Sequence, residues 1–196
     1  GDKEVIRRIT SALQVVGLSD QEVSALRDFR YKLSKGWDLS EKQQAWMNNI
    51  IKKSEKIIKE GPYAPDEDTV DLLRKCIKLA KGYSPVYWST HGGTARALEN
   101  VSRWLNEGGN VDEWSVNKLI SSMRSRLREL EDRHYVRSGD LVWCRLQAGG
   151  GTSAGVVHGP PEISERGAVV YPVLAGGSLL LVTKDRITKR KPKEVL

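Results

Sequence analysis

The sequence predicts an α+β protein, with an all-α helical bundle over residues 1–136 and a small five-stranded β-barrel over residues 137–196. Apolar side chains recur at helical spacing as far as Tyr135. After the turn Ser138-Gly139-Asp140 they alternate, as in strands. The runs LVWCRL, AGVVH, AVVYPVL, SLLLVT and DRITKR then follow with glycines between them. Several short strands in so short a segment favour a closed or nearly closed barrel.

The first half of the helical domain is predicted to form three helices. The opening apolar stripe stops at Gly17, a residue typical of helix C-caps. Ser19 with Glu22, and Ser40 with Gln43, have the spacing of capping boxes. These two pairs predict where the second and third helices begin.

Further helices are predicted in the second half of this domain. One apolar stripe begins at Val70, and another runs from Thr94 to a glycine pair. Asn110 is predicted to cap a last helix, whose apolar stripe continues to Leu130. The short connections between these helices favour a compact bundle.

The segment between Gly82 and Thr94 is the least regular part of the helical domain. It combines three aromatic residues with His91 and two glycines, directly before a helix N-terminus. Unpaired backbone N–H groups in such a place bind phosphates and other anions. Trp88, His91 and Arg96 are therefore candidate ligand contacts. The alternative is an aromatic loop that fills a gap between helices.

Strand alternation divides the barrel residues between two faces. Cys144 falls on the apolar face, which leaves Trp143 and Arg145 exposed together, a ring beside a cation. Pro172 cannot donate to a strand ladder and predicts an edge strand or a bulge. Tyr171 beside it is therefore expected to be accessible.

The charge of the chain favours anionic partners, since the net charge is +7 and the pI is near 9.4. Residues 137–196 hold nine Lys/Arg against five Asp/Glu, so the predicted barrel is the more basic part per residue. The basic stripe at its end includes Lys184, Arg186, Lys189 and Arg190. Arg124 and Arg128, one turn apart on the last predicted helix, form a second candidate phosphate surface. A solvated tail and an ordinary salt-bridged helix are the alternatives.

The sequence has none of the residue spacings typical of metal or catalytic sites. Its three histidines are far apart, and the motifs GxSxG, HExxH and CxxC are absent. Cys76 and Cys144 fall on apolar patterns and are expected to be free, buried thiols. We therefore expect a protein that is not an enzyme and uses no cofactor or metal. Because it lacks an apolar run of about 18 residues and a signal-peptide core, we also expect it to be intracellular and to bind no membrane.

Two stretches resemble known families. Gly-Asp-Leu-Val-Trp from Gly139, followed by Ala-Gly-Val-Val, Val-Val-Tyr-Pro-Val-Leu and Leu-Val-Thr-Lys-Asp-Arg-Ile, is similar to SH3-like small barrels of the Tudor and KOW types. Such barrels bind nucleic acids, peptides or other subunits, so this resemblance implies a fold more than a function. Leu39-Ser40-Glu41-Lys42-Gln43 resembles a helix start of bacteriophage DNA-metabolism proteins. That second resemblance implies a phage accessory protein that coats single-stranded DNA.

Charge, aromatic content and domain organisation favour a non-enzymatic nucleic-acid-binding protein, an accessory factor in replication or transcription. Single-stranded DNA is the preferred ligand, with duplex DNA and RNA as alternatives; a basic groove would hold phosphates while rings stack on bases. The second hypothesis is an adaptor that docks on a polymerase or another replication or transcription factor. The predicted nucleic-acid contacts are Trp143, Arg145, Tyr171, Lys184, Arg186, Lys189, Arg190, Arg124, Arg128, Trp88, His91 and Arg96.

Overall fold

The structure, a computed structural model, describes residues 2–131, 135–146 and 151–188. Within them the chain forms eight α-helices and an antiparallel sheet of six strands, which confirms the predicted α+β composition. The helices are α1 (Asp2–Ala12), α2 (Asp20–Ser34), α3 (Glu41–Glu60), α4 (Glu67–Ala80), α5 (Pro85–Thr90), α6 (Gly92–Glu107), α7 (Glu113–Ser122) and α8 (Arg124–Glu129). The strands are β1 (Leu141–Arg145), β2 (Thr152–Val157), β3 (Glu162–Ile163), β4 (Val169–Ala175), β5 (Ser178–Thr183) and β6 (Ile187–Thr188), with a 3₁₀ turn, Lys184–Arg186, before β6.

The chain divides into two compact units. Unit 1 comprises residues 1–66 and 99–116, and unit 2 comprises residues 67–98 and 117–196. Helices α6 and α7 are each divided between the two units. Contacts therefore group α4, α5 and α8 with the sheet, while the domain boundary at residue 136 stays a prediction.

Unit 1 is built on α1, α2 and α3, whose apolar faces share one core. Both predicted capping boxes are present: the Ser19 hydroxyl accepts from the Glu22 backbone N–H at 3.2 Å, and the Ser40 hydroxyl accepts from that of Gln43 at 3.3 Å. They begin α2 and α3 where the sequence predicts. The buried core residues are Ile9, Ala12, Ala25, Leu26, Phe29, Leu39, Met47, Ile50 and Ile51.

A partly buried polar cluster in unit 1 fixes the start of α7. Asp112 accepts hydrogen bonds from the backbone N–H of Ser115 at 2.9 Å and from its hydroxyl at 2.7 Å. Asn100 donates to the same hydroxyl at 3.0 Å, so the fully buried Ser115 is satisfied. The predicted cap at Asn110 was therefore wrong. Asp112 caps the helix because its carboxylate reaches an N–H three residues on.

The last predicted helix is in fact two helices. α7 ends at Ser122 and α8 begins at Arg124, with Met123 at φ −98° and ψ 4° between them. The Leu127 N–H still bonds to the Met123 carbonyl at 2.9 Å, so the apolar stripe continues across the break. Because the stripe is continuous, periodicity predicts one helix here.

The segment after Gly82 contains a helix that the sequence analysis did not predict. The Ser84 hydroxyl accepts from the Tyr87 N–H at 3.2 Å, and Pro85 follows at the first helical position. This serine-proline pair is a recognised helix start, and it begins α5. The expectation of an irregular segment was therefore wrong between Pro85 and Thr90.

Unit 2 carries a curled antiparallel sheet in which β4 is central. β5 pairs along one edge of β4, and β2 and β3 share the other edge. β1 pairs with β2 and with β6. The five predicted strands are thus present, together with the short β3. In the described residues β5 and β6 end the sheet, which has the form of a half-barrel.

Pro172 lies in the middle of the central strand β4, so its predicted edge position was wrong. Its carbonyl accepts from the His158 N–H at 2.8 Å. Because the N and O atoms of one strand residue point to the same side, the proline nitrogen also faces that side. There β2 has ended at Val157 and β3 begins only at Glu162, so no ladder bond needs the missing N–H.

The end of α4 approaches the turn between β3 and β4 backbone to backbone. A Cβ atom on Gly82 would lie 2.6 Å from the Gly167 carbonyl oxygen, and one on Gly167 would lie 2.7 Å from that of Lys78. Gly167 also has φ +80°, a conformation that favours glycine. The two glycines therefore allow α4 to lie against the sheet within unit 2.

Candidate nucleic-acid interface

Unit 2 holds the excess positive charge of the protein. It has nineteen Lys/Arg and eleven Asp/Glu, a net charge of +8, whereas unit 1 has thirteen against fourteen, a net charge of −1. Ten of the twelve predicted contacts lie among the described residues of unit 2. The other two, Lys189 and Arg190, lie outside the described residues. The charge excess and the predicted contacts therefore belong to the same unit.

Four rings around α5 form the aromatic cluster, which consists of Tyr83, Tyr87, Trp88 and His91. Tyr87 is central, since its ring centroid lies 4.4 Å from that of Tyr83, 5.1 Å from Trp88 and 4.1 Å from His91. The exposed His91 ring stacks on Tyr87 with 14° between the ring planes. The structure thus brings two predicted contacts, Trp88 and His91, together with two tyrosines.

Arg126 of α8 adds a cation to the aromatic cluster, and Lys118 of α7 lies near Gly93. The Arg126 guanidinium carbon lies 5.5 Å from the centroid of the Tyr83 ring, within the range of a cation–π contact. Burial raises the pKa of Tyr83, and the Arg126 charge opposes part of that rise. The Lys118 Cε atom lies 3.5 Å from where a Cβ of Gly93 would stand, two residues after His91. The cluster therefore has one cation beside Tyr83, and a second cation lies close to Gly93.

The three arginines of α8 line two different clefts of unit 2. Arg124 and Arg128 line the α4–α8 cleft, a space of about 370 Å³ that they share with Lys75. Arg126, which lies between them in the sequence, lines a second cleft of about 660 Å³ that also includes Lys184. Consecutive helical residues are rotated by about 100°, so residues two positions apart lie on opposite sides of a helix. Arg126 therefore cannot share a face with Arg124 and Arg128. The predicted pairing of Arg124 with Arg128 is present, and Arg126 is a candidate that the prediction missed.

The described lining residues of the second cleft are balanced in charge. Its charged lining residues are Arg126, Glu129, Lys184 and Asp185. The predicted contact Lys184 is exposed, and its Nζ atom lies 4.8 Å from the centroid of the Tyr135 ring. A side-chain hydrogen bond from Thr183 lowers the pKa of Asp185, so this residue is a carboxylate at neutral pH. Lys184 therefore offers a cation beside a ring, but with an acidic neighbour.

The outer face of β1 carries Trp143 and Arg145 as strand alternation predicts. Trp143 is half-buried and Arg145 is exposed, whereas the intervening Cys144 is buried. The same sheet face carries an apolar row that the prediction missed. Its members, Leu141, Val156, Leu174 and Leu179, are successive cross-strand partners and are all exposed. Because β4 and β5 are apolar on both faces, their sequences do not show which residues face outwards.

Tyr171 is fully buried, so its predicted accessibility was wrong. β4 is central, and this side chain lies on the inner face of the sheet. Its ring meets that of Tyr135 edge-on at 6.0 Å, and its hydroxyl donates to the Glu129 carbonyl at 3.5 Å. Burial raises the pKa of Tyr171, and the charge of Glu129 adds to the rise. Tyr171 is therefore a core residue and cannot stack on a base.

The Arg186 side chain forms hydrogen bonds within the protein. Its guanidinium donates to the Arg145 carbonyl at 3.0 Å and 2.7 Å, and also to the carbonyl of Leu146. These bonds tie the 3₁₀ turn to the end of β1, so Arg186 has a structural role, and its contact with phosphates stays a prediction. Arg96 is exposed on α6 and also has an interaction partner.

Comparisons with known proteins identify no relative. No family model matches the chain, and no curated protein or solved structure matches it. Across the described ranges no group of three or more His, Cys, Asp or Glu is placed to hold a metal ion. In those ranges no helix has both the length and the apolar character to cross a membrane. Cys76 and Cys144 are buried free thiols, as predicted.

Proposed function

We propose that the protein binds nucleic acid through unit 2, with single-stranded DNA preferred, and that it does so without catalysis and without a cofactor. The observation that carries this proposal is the separation of charge, +8 on unit 2 against −1 on unit 1. A strongly basic unit attracts a polyanion from a distance, and each phosphate that it neutralises releases counterions. The acidic balance of unit 1 gives it no comparable attraction.

The aromatic cluster supports the preference for single strands. Bases of a single strand are free to stack on protein rings, whereas those of a duplex already stack on one another. Trp88 and His91 are the rings that we assign to stacking, which contributes roughly 1–3 kcal/mol per base. Arg126, which contacts the Tyr83 ring, and Lys118, which lies near Gly93, are assigned to the adjoining phosphates. Trp143 with Arg145, on the outer face of β1, would provide a second contact of the same kind.

We also propose that the sheet of unit 2 is an SH3-like small barrel. Two features support this: a 3₁₀ turn precedes β6, and β6 pairs with β1, so that the last strand returns to the first. With the resemblance of Leu39–Gln43 to bacteriophage DNA-metabolism proteins, this leads us to propose an intracellular accessory factor in phage replication or transcription. The proposed ligand, single-stranded DNA, is one that such a factor would coat.

Fluorescence anisotropy across a salt series tests the binding. The purified chain is titrated with labelled single-stranded DNA, duplex DNA and RNA of equal length. We expect the tightest binding to single-stranded DNA, with a log–log salt slope of about −2 to −3, from about −0.7 for each of three or four phosphate contacts. Absence of binding to all three ligands at low salt would contradict the proposal.

A tryptophan variant tests the stacking separately from the charge. Trp88→Ala should weaken binding of single-stranded DNA by roughly tenfold to a hundredfold, the loss of one stacked base, and should leave duplex binding nearly unchanged. Trp114→Ala is the control, because Trp114 is an exposed tryptophan of unit 1. Equal effects of the two substitutions would contradict the assignment of the aromatic cluster.

A second candidate function is an adaptor that docks on a polymerase or another replication or transcription factor. The observation that favours it is the lining of the α4–α8 cleft, which combines leucines with cations. The cations alone are sufficient to bind phosphates, and the leucines would add nothing to such binding. This cleft is therefore better suited to a protein ligand than the aromatic cluster is.

A further inference from the structure

The α4–α8 cleft has an apolar floor made of three leucines. Leu72 comes from α4, Leu127 from α8, and Leu130 directly follows α8. Leu72 is 37% exposed, whereas its neighbour Leu73 is fully buried in the core of unit 2. The floor is thus an apolar surface beside the core that remains open to a ligand.

The rim of this cleft is positively charged. Of the described residues that line it, Lys75, Arg124 and Arg128 are cations and Glu131 is the one carboxylate. Among the described residues, no carboxylate lies within ion-pair distance of any of these three cations. By contrast Arg74, which is next to Lys75 in the sequence, pairs with its own helix neighbour Asp71 at 3.3 Å. Among the described residues the cleft therefore has an excess of positive charge and none of its three cations is in an ion pair.

The two helices present the same arrangement to the cleft. On α4, Lys75 follows Leu72 by three positions, and on α8, Leu127 follows Arg124 by three. Residues three or four apart on a helix lie side by side on its surface. Each helix thus places one leucine next to at least one cation. A ligand that fits this arrangement has apolar and acidic groups at matching intervals.

We propose that the α4–α8 cleft binds an acidic amphipathic helix of a protein partner. The apolar stripe of that helix lies on the leucines, and the carboxylates that flank the stripe face Lys75, Arg124 and Arg128. This inference rests on the adaptor function proposed above and not on nucleic-acid binding. Helices recognised in grooves use such anchors at positions i, i+3, i+4 and i+7. Complementary charge around the apolar contact fixes the partner and the orientation.

The lining favours a peptide over a nucleic acid. Its described lining residues include no aromatic ring on which a base could stack, and leucine side chains form no hydrogen bonds with base edges. A volume of about 370 Å³ admits several inserted side chains while the backbone of the partner helix remains outside. A peptide with apolar anchors and acidic neighbours therefore complements both the leucines of the floor and the cations of the rim.

The test uses the full chain and synthetic helical peptides. The probe peptide carries leucines at i, i+3, i+4 and i+7 with glutamates on both sides, and it has a fluorescent label. One control peptide has the same composition with the leucines shuffled, and a second has lysine in place of each glutamate. We expect the probe to bind at least about tenfold more tightly than either control. Equal binding of all three peptides, or no binding of the probe, would overturn the proposal.

Variants of the chain assign the binding to this cleft. Leu72→Ser removes part of the floor, and Arg124→Gln with Arg128→Gln removes part of the rim. Each change should weaken probe binding by about tenfold or more, while Arg74→Gln, the loss of one positive charge elsewhere on α4, should have no effect. Unchanged circular dichroism and urea midpoints show that the variants are folded. Since Leu72 is partly exposed and the arginines are exposed, at least one variant of the two kinds is expected to fold.

Labelled single-stranded DNA is titrated against the same protein samples. We expect Leu72→Ser to weaken the peptide but not the oligonucleotide. Peptide binding without oligonucleotide binding would reject the nucleic-acid function alone, and the reverse would reject the cleft proposal alone.

If the oligonucleotide displaces the peptide and loses affinity by the same factor in Leu72→Ser, the cleft is a nucleic-acid site. If Leu72→Ser instead abolishes self-association of the chain, the occupant is a second copy, and the proposal is again overturned.

Discussion

Replacing Gly167 with alanine tests the close approach of α4 to the sheet in unit 2. The left-handed φ of +80° costs an alanine about 1–2 kcal/mol. The new Cβ would also lie 2.7 Å from the Lys78 carbonyl oxygen, and overpacking of this kind costs about 1–3 kcal/mol more. We therefore expect the free energy of unfolding to fall by about 2–5 kcal/mol.

Gly177→Ala is a matched control for this substitution. Gly177 has nearly the same backbone conformation, φ +78°, but a Cβ there would meet nothing within 4 Å. It should therefore lose only the conformational part, about 1–2 kcal/mol. Urea unfolding followed by circular dichroism gives both values. Equal losses in Gly167→Ala and Gly177→Ala would refute the packing of α4 against the turn between β3 and β4.

Burial raises the pKa of the Cys76 thiol to about 12, so this thiol should resist alkylation in the folded protein and react once urea unfolds it. This pKa lies above the pKa near 8.5 of an unfolded cysteine, so the contribution of Cys76 to the free energy of unfolding should be lost as the pH rises from about 9 towards 12. Urea titrations across this range should show a smaller loss in Cys76→Ala. Arg186→Gln should lower the free energy of unfolding by about 1.5–3 kcal/mol because two carbonyls lose a charged donor, whereas Lys184→Gln should lower it by under about 1 kcal/mol. Ser19→Ala should cost about 1 kcal/mol by removing the capping box of α2, and Ser24→Ala, at an exposed position of the same helix, should cost nothing. Thermal unfolding that ranks either pair in the opposite order would contradict the hydrogen bonds described.

Helix starts were the part of the fold most accessible to prediction. The signals at Ser19 and Ser40 involve only residues within one turn, and both helices begin where those signals lie. The same local reasoning applies to Ser84 with Pro85, so α5 was predictable from the sequence. The burial of Tyr171 was not, because it depends on which strands pair with both edges of β4, and such pairing joins residues far apart in the sequence.

The candidate site follows the same division between local and distant information. Arg124 and Arg128 share a cleft because helical spacing places them on one face, which the sequence shows directly. The contact of Arg126 with Tyr83 and the exposed row from Leu141 to Leu179 require the packing of α8 and the register of four strands. Alternation could not identify the outer members of that row, because β4 and β5 are apolar on both faces.

Binding of single-stranded DNA by unit 2 is tested most directly by two triple variants that lose the same charge. One carries glutamine at three cations of unit 2, and the other carries glutamine at three exposed lysines of α3 in unit 1. The positions are Lys118, Arg126 and Lys184 for the first and Lys52, Lys56 and Lys59 for the second. The first variant should bind at least about tenfold more weakly, with a salt slope shallower by about 2, and the second should bind as the unchanged protein does. Equal losses in the two variants, or full affinity in the first, would contradict the assignment of nucleic-acid binding to unit 2.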